Sequence, residues 1–113
     1  MTVKTRYITL DTAGNGDVLE ITAQVEGCLQ DSSLSNGVAT IFTPIPPDRE
    51  YQHNARWGDG NGHSHARAAL LKPSLSVPFV NGKLTLGTWQ SIVLVDFDNR
   101  QRSRKLIVQL MGE

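Results

Sequence analysis

The chain has 113 residues, and its eleven basic and eleven acidic side chains give a formal net charge of zero. This length suits one domain with a real core, and the balanced charge provides no global field for nucleic acid or an anionic membrane. Cys28 is the only cysteine, which excludes an internal disulfide and favours a reducing compartment. No stretch reads as a signal peptide or a membrane span, so we expect a cytoplasmic protein.

The first half of the sequence predicts three strands and a helix. The β-rich run VKTRYITL predicts a first strand, and the turn residues of DTAGNGD predict a hairpin that connects it to a strand over Val18–Ile21. Apolar residues then recur at helical spacing, which predicts a helix capped by Thr22 and ended by the SNG run at 35–37. VATIFT predicts a buried strand, which the prolines of PIPP terminate.

The second half predicts a short helix and two hairpins. Ser64 is placed to cap a helix over HARAALL, and Asn81 with Gly82 predicts a type I′ turn between SLSVPFV and KLTL. Pro78 marks the strand that contains it as an edge strand. WQSIVLVDFD and SRKLIVQLM predict a second hairpin, and the first of these strands is apolar on both faces, as central strands are. The element order predicts an α+β fold with a largely antiparallel sheet.

The run GDGNGHSHAR, with a histidine shortly upstream, contains the residues best suited to chemistry. His53, His63 and His65, with Asp59 nearby, offer imidazole and carboxylate donors for a divalent ion if the segment folds back. His65 would lie at a helix N-terminus, where backbone amides favour an anion, and the glycines, Gly62 among them, allow backbone to approach a phosphate. The alternative is an ordinary solvated loop of small and polar residues.

Two polar residues on the penultimate strand form a second candidate group. Period-2 counting places Gln90 and Asp96 on one face. They are either strand-end residues that pair with neighbours such as Arg104, which the residue types favour, or groups that reach a ligand beside the histidines. Cys28 lies on a predicted helix face as a small hydrophobe, so a cysteine nucleophile is not expected.

The run SLSVPFVNGKLTLGTWQSIVLVDFDNR resembles the YjbQ-like family, whose members are described as secondary thiamine phosphate synthase enzymes. The upstream YQH and SHARAALL are similar to the family's Tyr-x-His and His-x-Arg/Lys-Ala-x-Leu elements, which assigns functional histidines to His53 and His65. The closing SRKLIVQLMGE also fits, so the resemblance covers nearly the whole chain. The positions that carry the central part of the match are Ser74, Leu75, Val77, Pro78, Gly82, Leu84, Leu86, Gly87, Trp89 and Gln90.

The resemblance implies one α+β domain over residues 1–113, a sandwich of two sheets with two or more short helices, that assembles as a homotrimer. It also implies a reaction in which hydroxymethylpyrimidine diphosphate and thiazole phosphate are joined and pyrophosphate is released. A divalent metal ion, zinc-like or magnesium, would be held by His53, His63 and His65. Phosphate contacts would come from Thr43, Gly62, Ser64 and His65, and the catalytic group would be His65, Gln90 and Asp96. The alternative is a trimer that binds a metal or an anionic metabolite without turnover.

The chain departs from the family pattern at three points. Asn54 stands where many members have Asp, and Phe42 replaces the His of a His-Thr element that keeps Thr43. Relatives also insert a further strand and helix between Pro44 and Ile45. Either the insert is genuinely deleted, or residues of the natural chain are missing from this sequence. We favour the second, because losing a core strand would expose a sheet edge. An intact mass near 12.4 kDa would demonstrate a deletion.

Overall fold

The computed structural model describes residues 1–44, 73–96 and 101–113. The predicted helix after Ser64 lies outside these residues. No helix in the described ranges is long and apolar enough to cross a membrane. The described elements, in chain order, are β1 (Thr2–Thr12), β2 (Asp17–Glu20), α1 (Thr22–Ser32), β3 (Gly37–Phe42), β4 (Ser74–Val80), β5 (Lys83–Leu84), β6 (Val93–Asp96) and β7 (Arg102–Gly112).

The strands form two antiparallel sheets, as expected for an α+β sandwich. The large sheet has five strands in the order β1-β7-β3-β4-β5, and the small sheet pairs β2 with β6. Both long strands, β1 and β7, pair over their full eleven residues from Thr2↔Gly112 to Thr12↔Arg102. The last strand therefore lies between the first and the third, and the sheet joins both ends of the chain.

The core lies between the inner face of the large sheet and a layer formed by α1 and the small sheet. Period-2 alternation places Leu106, Val108 and Leu110 of β7 on this inner face, and all three are fully buried. Val25 and Leu29 of α1 and Ile92 before β6 are among their buried neighbours in the cluster. At about 25 cal/mol per Å² of apolar surface removed from water, each such side chain contributes roughly 1.5–3 kcal/mol.

Two predicted hairpins are wrong, and both errors have the same cause. β1 does not pair with β2, because β1 pairs with β7 and β2 pairs with β6 across Asp17↔Asp96 to Glu20↔Val93. β6 likewise does not pair with β7 in the described chain and is not a central strand. Each predicted turn instead connects the two sheets. Local periodicity shows that a strand exists but does not identify its partner, which is set by long-range packing.

The boundaries of α1 also differ from the prediction. The helix begins at Thr22, but no side chain caps it, and the Thr22 hydroxyl accepts a hydrogen bond from the Ile92 backbone N–H at 2.8 Å. Thr22 therefore connects the helix to the small sheet. The helix ends at Ser32, and Ser33 takes the left-handed conformation, with φ of 61°, that ends many helices. The SNG run that follows leads into β3 instead of ending the helix.

The predicted β4–β5 turn is confirmed. Asn81 and Gly82 both have positive φ, 52° and 74°, as a type I′ turn requires. β5 covers only the end of β4, through Phe79↔Leu84 and Val80↔Lys83. The part of β4 before Pro78 therefore has no strand on its outer side in the described ranges, which agrees with the edge character that this proline predicts.

Candidate functional site

The segment that carries the histidines is attached to two neighbouring strands of the large sheet. β3 and β4 are antiparallel partners, and their pairing ends at Phe42↔Ser74. One residue further, the Thr43 backbone N–H donates to the Pro73 carbonyl at 2.8 Å. The chain that contains His53, Gly62, His63, Ser64 and His65 thus leaves and re-enters the sheet at adjacent points. These five residues lie outside the described part of the chain.

β7 extends past this attachment point. Because Phe42 pairs with Ile107, the first residues of β7, Arg102 to Leu106, continue beyond the end of β3. On their other side they are paired with β1, up to Thr12↔Arg102. Arg104 lies in this projecting part of β7. The structure therefore places Thr43, Pro73 and Arg104 at the same end of the large sheet.

A buried ionic cluster joins the two sheets at this end. The Asp96 side chain is only 4% exposed, and Arg104 contacts both of its oxygens, with Nε to Oδ2 at 3.1 Å and Nη2 to Oδ1 at 3.2 Å. The Thr12 hydroxyl of β1 also hydrogen-bonds to Asp96 Oδ2. A buried carboxylate requires such compensation, because its desolvation costs several kcal/mol, in order of magnitude. The predicted pairing of Asp96 with Arg104 is confirmed.

The loop between β1 and β2 contacts this cluster through a backbone hydrogen bond. Gly14, Asn15 and Gly16 all have positive φ, a run that glycine and asparagine adopt at low cost. This conformation brings the Gly16 N–H within 2.8 Å of the Asp96 carbonyl. Asp17 Oδ2 accepts a hydrogen bond from the Ala13 N–H at 3.0 Å, so the Asp17 carboxylate stabilises the turn. The turn residues DTAGNGD therefore support the cluster, although they do not form the predicted hairpin.

Gln90 lies along β4, away from Asp96 in the small sheet. Its Oε1 accepts a hydrogen bond from the Gly87 N–H at 2.8 Å, and its own N–H donates to the Gly87 carbonyl at 3.0 Å. Two hydrogen bonds therefore close the turn at residues 87–90. It lines a shallow groove with Leu75 and Val93, and the side chain of Trp89 is 95% exposed beside it. Gln90 therefore borders the strand to which the histidine segment returns at Pro73.

The remaining reactive group is Cys28 on α1. The thiol is partly buried against the core. Burial raises its pKa above the ordinary value, and this outweighs the lowering effect of the Arg6 guanidinium. A thiol with a raised pKa is a poor nucleophile at neutral pH, in line with its predicted role as a small hydrophobe. Within the described ranges, no three His, Cys, Asp or Glu side chains are arranged to hold a metal.

Sequence reasoning missed the contribution of Thr12 to the cluster. The signal was present in the alternation of β1, where Ile8 and Thr12 are buried and share the inward face. A hydroxyl at the end of an inward-facing series needs a polar partner inside, and Asp96 is that partner. The partner could not be identified from the sequence, since the pairing of β1 with β7 and of β2 with β6 was not predicted.

A family model described as "UPF0047 protein YjbQ-like" matches residues 43–113. Among similar proteins, a UPF0047 protein of Methanothermobacter thermautotrophicus is 32% identical over 139 aligned positions, covering 100% of this chain and 95% of that protein. A UPF0047 protein of Archaeoglobus fulgidus is 31% identical over 92% of this chain and 98% of its own length. An alignment of 139 positions with 113 residues contains positions that this chain lacks.

Solved structures share the fold. A YbjQ-like protein of unknown function from Sulfolobus solfataricus superposes with a TM-score of 0.86 at 29% identity, covering 99% of each chain. A hypothetical protein from Aeropyrum pernix superposes with a TM-score of 0.82 at 26% identity, covering 97% of this chain and 99% of that one. These comparisons establish the family and the fold, and the descriptions of the similar proteins name no activity.

Proposed function

The chain belongs to the YjbQ-like UPF0047 family, and from this premise we propose that it is a metal-assisted transferase that handles phosphorylated metabolites in the cytoplasm. The proposed reaction joins hydroxymethylpyrimidine diphosphate to thiazole phosphate. The thiazole nitrogen forms a bond to the methylene carbon of the pyrimidine, the carbon–oxygen bond to the diphosphate breaks, and pyrophosphate leaves with the electron pair. The catalytic unit is proposed to be a homotrimer.

The attachment of the histidine segment is the observation that carries this proposal. The Thr43–Pro73 hydrogen bond closes both ends of the segment at one end of the large sheet. The same end contains the Asp96–Arg104 pair, and Gln90 lines a groove with Leu75 of β4. A segment held at both ends can position His53 and His65 around one ligand at a lower entropic cost than a free chain can.

The proposed donor set fits a zinc-like ion better than magnesium. Imidazole nitrogens from His53, His63 and His65 suit zinc-like ions, whereas magnesium prefers several oxygen ligands and bound water. Asp96 already binds Arg104 through both oxygens. Such a carboxylate is better suited to hold the surrounding structure than to bind a metal.

Each proposed residue has a defined task. A metal held by His53, His63 and His65 would supply positive charge beside the departing pyrophosphate. Ser64, His65 and Gly62 would supply backbone or side-chain donors to phosphate oxygens, and Thr43 would supply a further contact where β3 ends. Gln90, fixed by its hydrogen bond with Gly87, would orient a substrate from the β4 side. Asp96 would keep the two sheets, and hence the site, in register.

Metal analysis combined with a pyrophosphate-release assay tests the proposal. Purified wild-type protein, His65→Ala and His53→Ala would be compared with Gln24→Ala, an exposed change on α1. We expect bound zinc-like metal in the wild type and metal-dependent pyrophosphate release that both histidine variants lose and Gln24→Ala keeps. Metal bound without release would instead support the non-catalytic binding protein. Wild-type protein that retains no metal and releases no pyrophosphate would contradict the transferase and the metal-binding form of the alternative.

A further inference from the structure

Trp89 presents a large aromatic side chain to solvent from a closed turn. It is 95% exposed, although tryptophan is a residue type that proteins bury to a high degree on average. Its backbone position is fixed, because Trp89 lies inside the turn at residues 87–90 that the two hydrogen bonds between Gly87 and Gln90 close. The turn therefore holds the indole outside the core in a defined place.

A groove lies beside this side chain, between β4 and residues 85–93, and we call it the Trp89 groove. Its volume is about 550 Å³, within the range of roughly 300–1,000 Å³ that is typical of small-molecule pockets. Eleven described residues line it. Some, such as Val77 and Ile92, are buried and apolar, others supply hydroxyl and amide groups, and none of the eleven is ionisable. Such a lining suits an uncharged ligand that has both apolar and hydrogen-bonding surface.

Gln90 supplies this groove with a donor in a fixed orientation. Its Oε1 accepts the Gly87 N–H at 2.8 Å, which holds the side-chain amide in place. Within the described ranges, Gln90 Nε2 donates no hydrogen bond. The Nε2 hydrogens and the second lone pair of Oε1 lie side by side, and with these two groups a glutamine can bind an aromatic amino group and the ring nitrogen next to it.

We propose that the Trp89 groove binds an uncharged planar heteroaromatic ring that carries an amino group next to a ring nitrogen. The Trp89 indole stacks on the face of the ring, as aromatic side chains stack on nucleic-acid bases. Gln90 Nε2 donates to the ring nitrogen, and Gln90 Oε1 accepts from the amino group. Leu75 and Val93, which line the groove and are 48% and 45% exposed, cover the apolar part of the ring.

A strand from another chain is a poorer occupant, although β4 has a free edge here. Pro78 has no N–H to donate, and its carbonyl already accepts two hydrogen bonds, from the Thr85 N–H at 3.0 Å and the Thr85 hydroxyl at 2.9 Å. In the described chain this leaves an unpaired edge only from Ser74 to Val77, which is shorter than a typical strand. A ring needs no backbone partner, so the interrupted edge does not disfavour it.

This inference rests on the proposed transferase only for the identity of the ring. The pyrimidine of hydroxymethylpyrimidine diphosphate has an amino group next to a ring nitrogen, and its negative charge is confined to the diphosphate. Leu75 lies two residues from Pro73, about 7 Å along an extended strand. A ring in the groove is therefore close enough for its diphosphate to extend toward the end of the sheet where the histidine segment is attached.

Binding of the aminopyrimidine alcohol, which lacks the diphosphate, tests the groove without metal or reaction. The alcohol would be titrated into metal-free protein by calorimetry in mildly alkaline buffer, where the ring is uncharged. We expect Trp89→Leu to raise the dissociation constant at least about fivefold, because stacking on an aromatic side chain contributes that much. Trp89→Phe keeps an aromatic face and should raise it less, and the exposed control Gln24→Ala should leave it unchanged.

A matched pair of isosteric changes tests the role of the amide. Gln90→Glu keeps an oxygen that can accept the Gly87 N–H and removes the donor to the ring nitrogen, whereas Gln24→Glu makes the same change on α1. We expect the dissociation constant of the alcohol to rise about fivefold or more for Gln90→Glu, the effect of one lost hydrogen bond, and to stay unchanged for Gln24→Glu.

The outcomes separate the groove from the transferase. Wild-type protein that does not bind the alcohol at millimolar concentration, or binding that Trp89→Leu and Gln90→Glu leave unchanged, would overturn the inference. Binding without pyrophosphate release would support the groove and contradict the transferase. Pyrophosphate release in which Trp89→Leu leaves KM for the pyrimidine diphosphate unchanged would do the reverse. The wild-type titration, followed through the indole N–H resonance of Trp89, remains decisive if a variant does not fold.

Discussion

Replacing Arg104 by methionine should separate the energetic role of the buried cluster from any catalytic role. Methionine keeps most of the apolar stem and removes the guanidinium. Asp96, whose side chain is 4% exposed, then loses the donor that contacts both of its oxygens. Removing one partner of a buried pair costs about 3–5 kcal/mol. The Thr12 hydroxyl remains, and the Arg104 side chain is 18% exposed, so we expect the lower end, about 3 kcal/mol.

Chemical and thermal unfolding at matched protein concentration would measure this loss. For a domain of this size, 1 kcal/mol corresponds to about 4 °C, so Tm should fall by roughly 12 °C. Lys105→Met is the matched control, because Lys105 is the next residue of β7 and faces solvent, with Nζ 4.3 Å from the centre of the Tyr7 ring. That exposed contact is worth about 0.5–1 kcal/mol. Equal losses in the two variants would refute the idea that the Asp96–Arg104 pair joins the sheets.

Three further predictions concern single side chains. Gly112→Ala should lower the free energy of unfolding by about 1–3 kcal/mol, because a Cβ there would overlap the Asn36 carbonyl oxygen. Gly27→Ala, in an open position on α1, should raise the free energy of unfolding by about 0.5–1 kcal/mol in the same denaturation assay. Thr22→Val should cost about 1–3 kcal/mol by leaving the Ile92 N–H unpaired, and Thr22→Ser should not. Cys28 should react with a thiol reagent more slowly than a free thiol at pH 8, because its pKa is raised by burial, and denaturant should abolish the difference; equal rates before and after unfolding would contradict this.

The strands could be predicted from the sequence because period-2 alternation is a local property. The β4–β5 turn followed from the positive φ that Asn81 and Gly82 tolerate, and the helix from apolar spacing around Val25 and Leu29. The pairing of β1 with β7 spans nearly the whole chain, so no local signal identifies it. Thr22 shows the same limit, since its hydroxyl bonds to Ile92, a residue 70 positions away, and not to its own helix.

The sequence identified candidate site residues better than it predicted where they lie in the fold. The sequence placed Gln90 and Asp96 on one strand face, and the structure separates them, with Gln90 in a turn beside β4 and Asp96 at the far end of β6. The choice between a ligand-binding Asp96 and an Arg104-bound Asp96 could be weighed beforehand, because a buried carboxylate needs a cation. The attachment of the histidine segment through Thr43 and Pro73 could not be predicted from the sequence, since it depends on which strands pair.

The buried cluster lies at the same end of the large sheet as the Thr43–Pro73 hydrogen bond, and temperature can separate its effect on stability from any effect on the chemistry. If Asp96 and Arg104 act only by holding the sheets together, Arg104→Met should keep its metal content and pyrophosphate release well below its lowered Tm, and lose both only as it unfolds. If Asp96 instead contributes to the reaction, release should fall in the folded variant while metal content stays constant. Measuring both quantities at one low temperature, with Lys105→Met beside them, distinguishes a positioning role from a catalytic one.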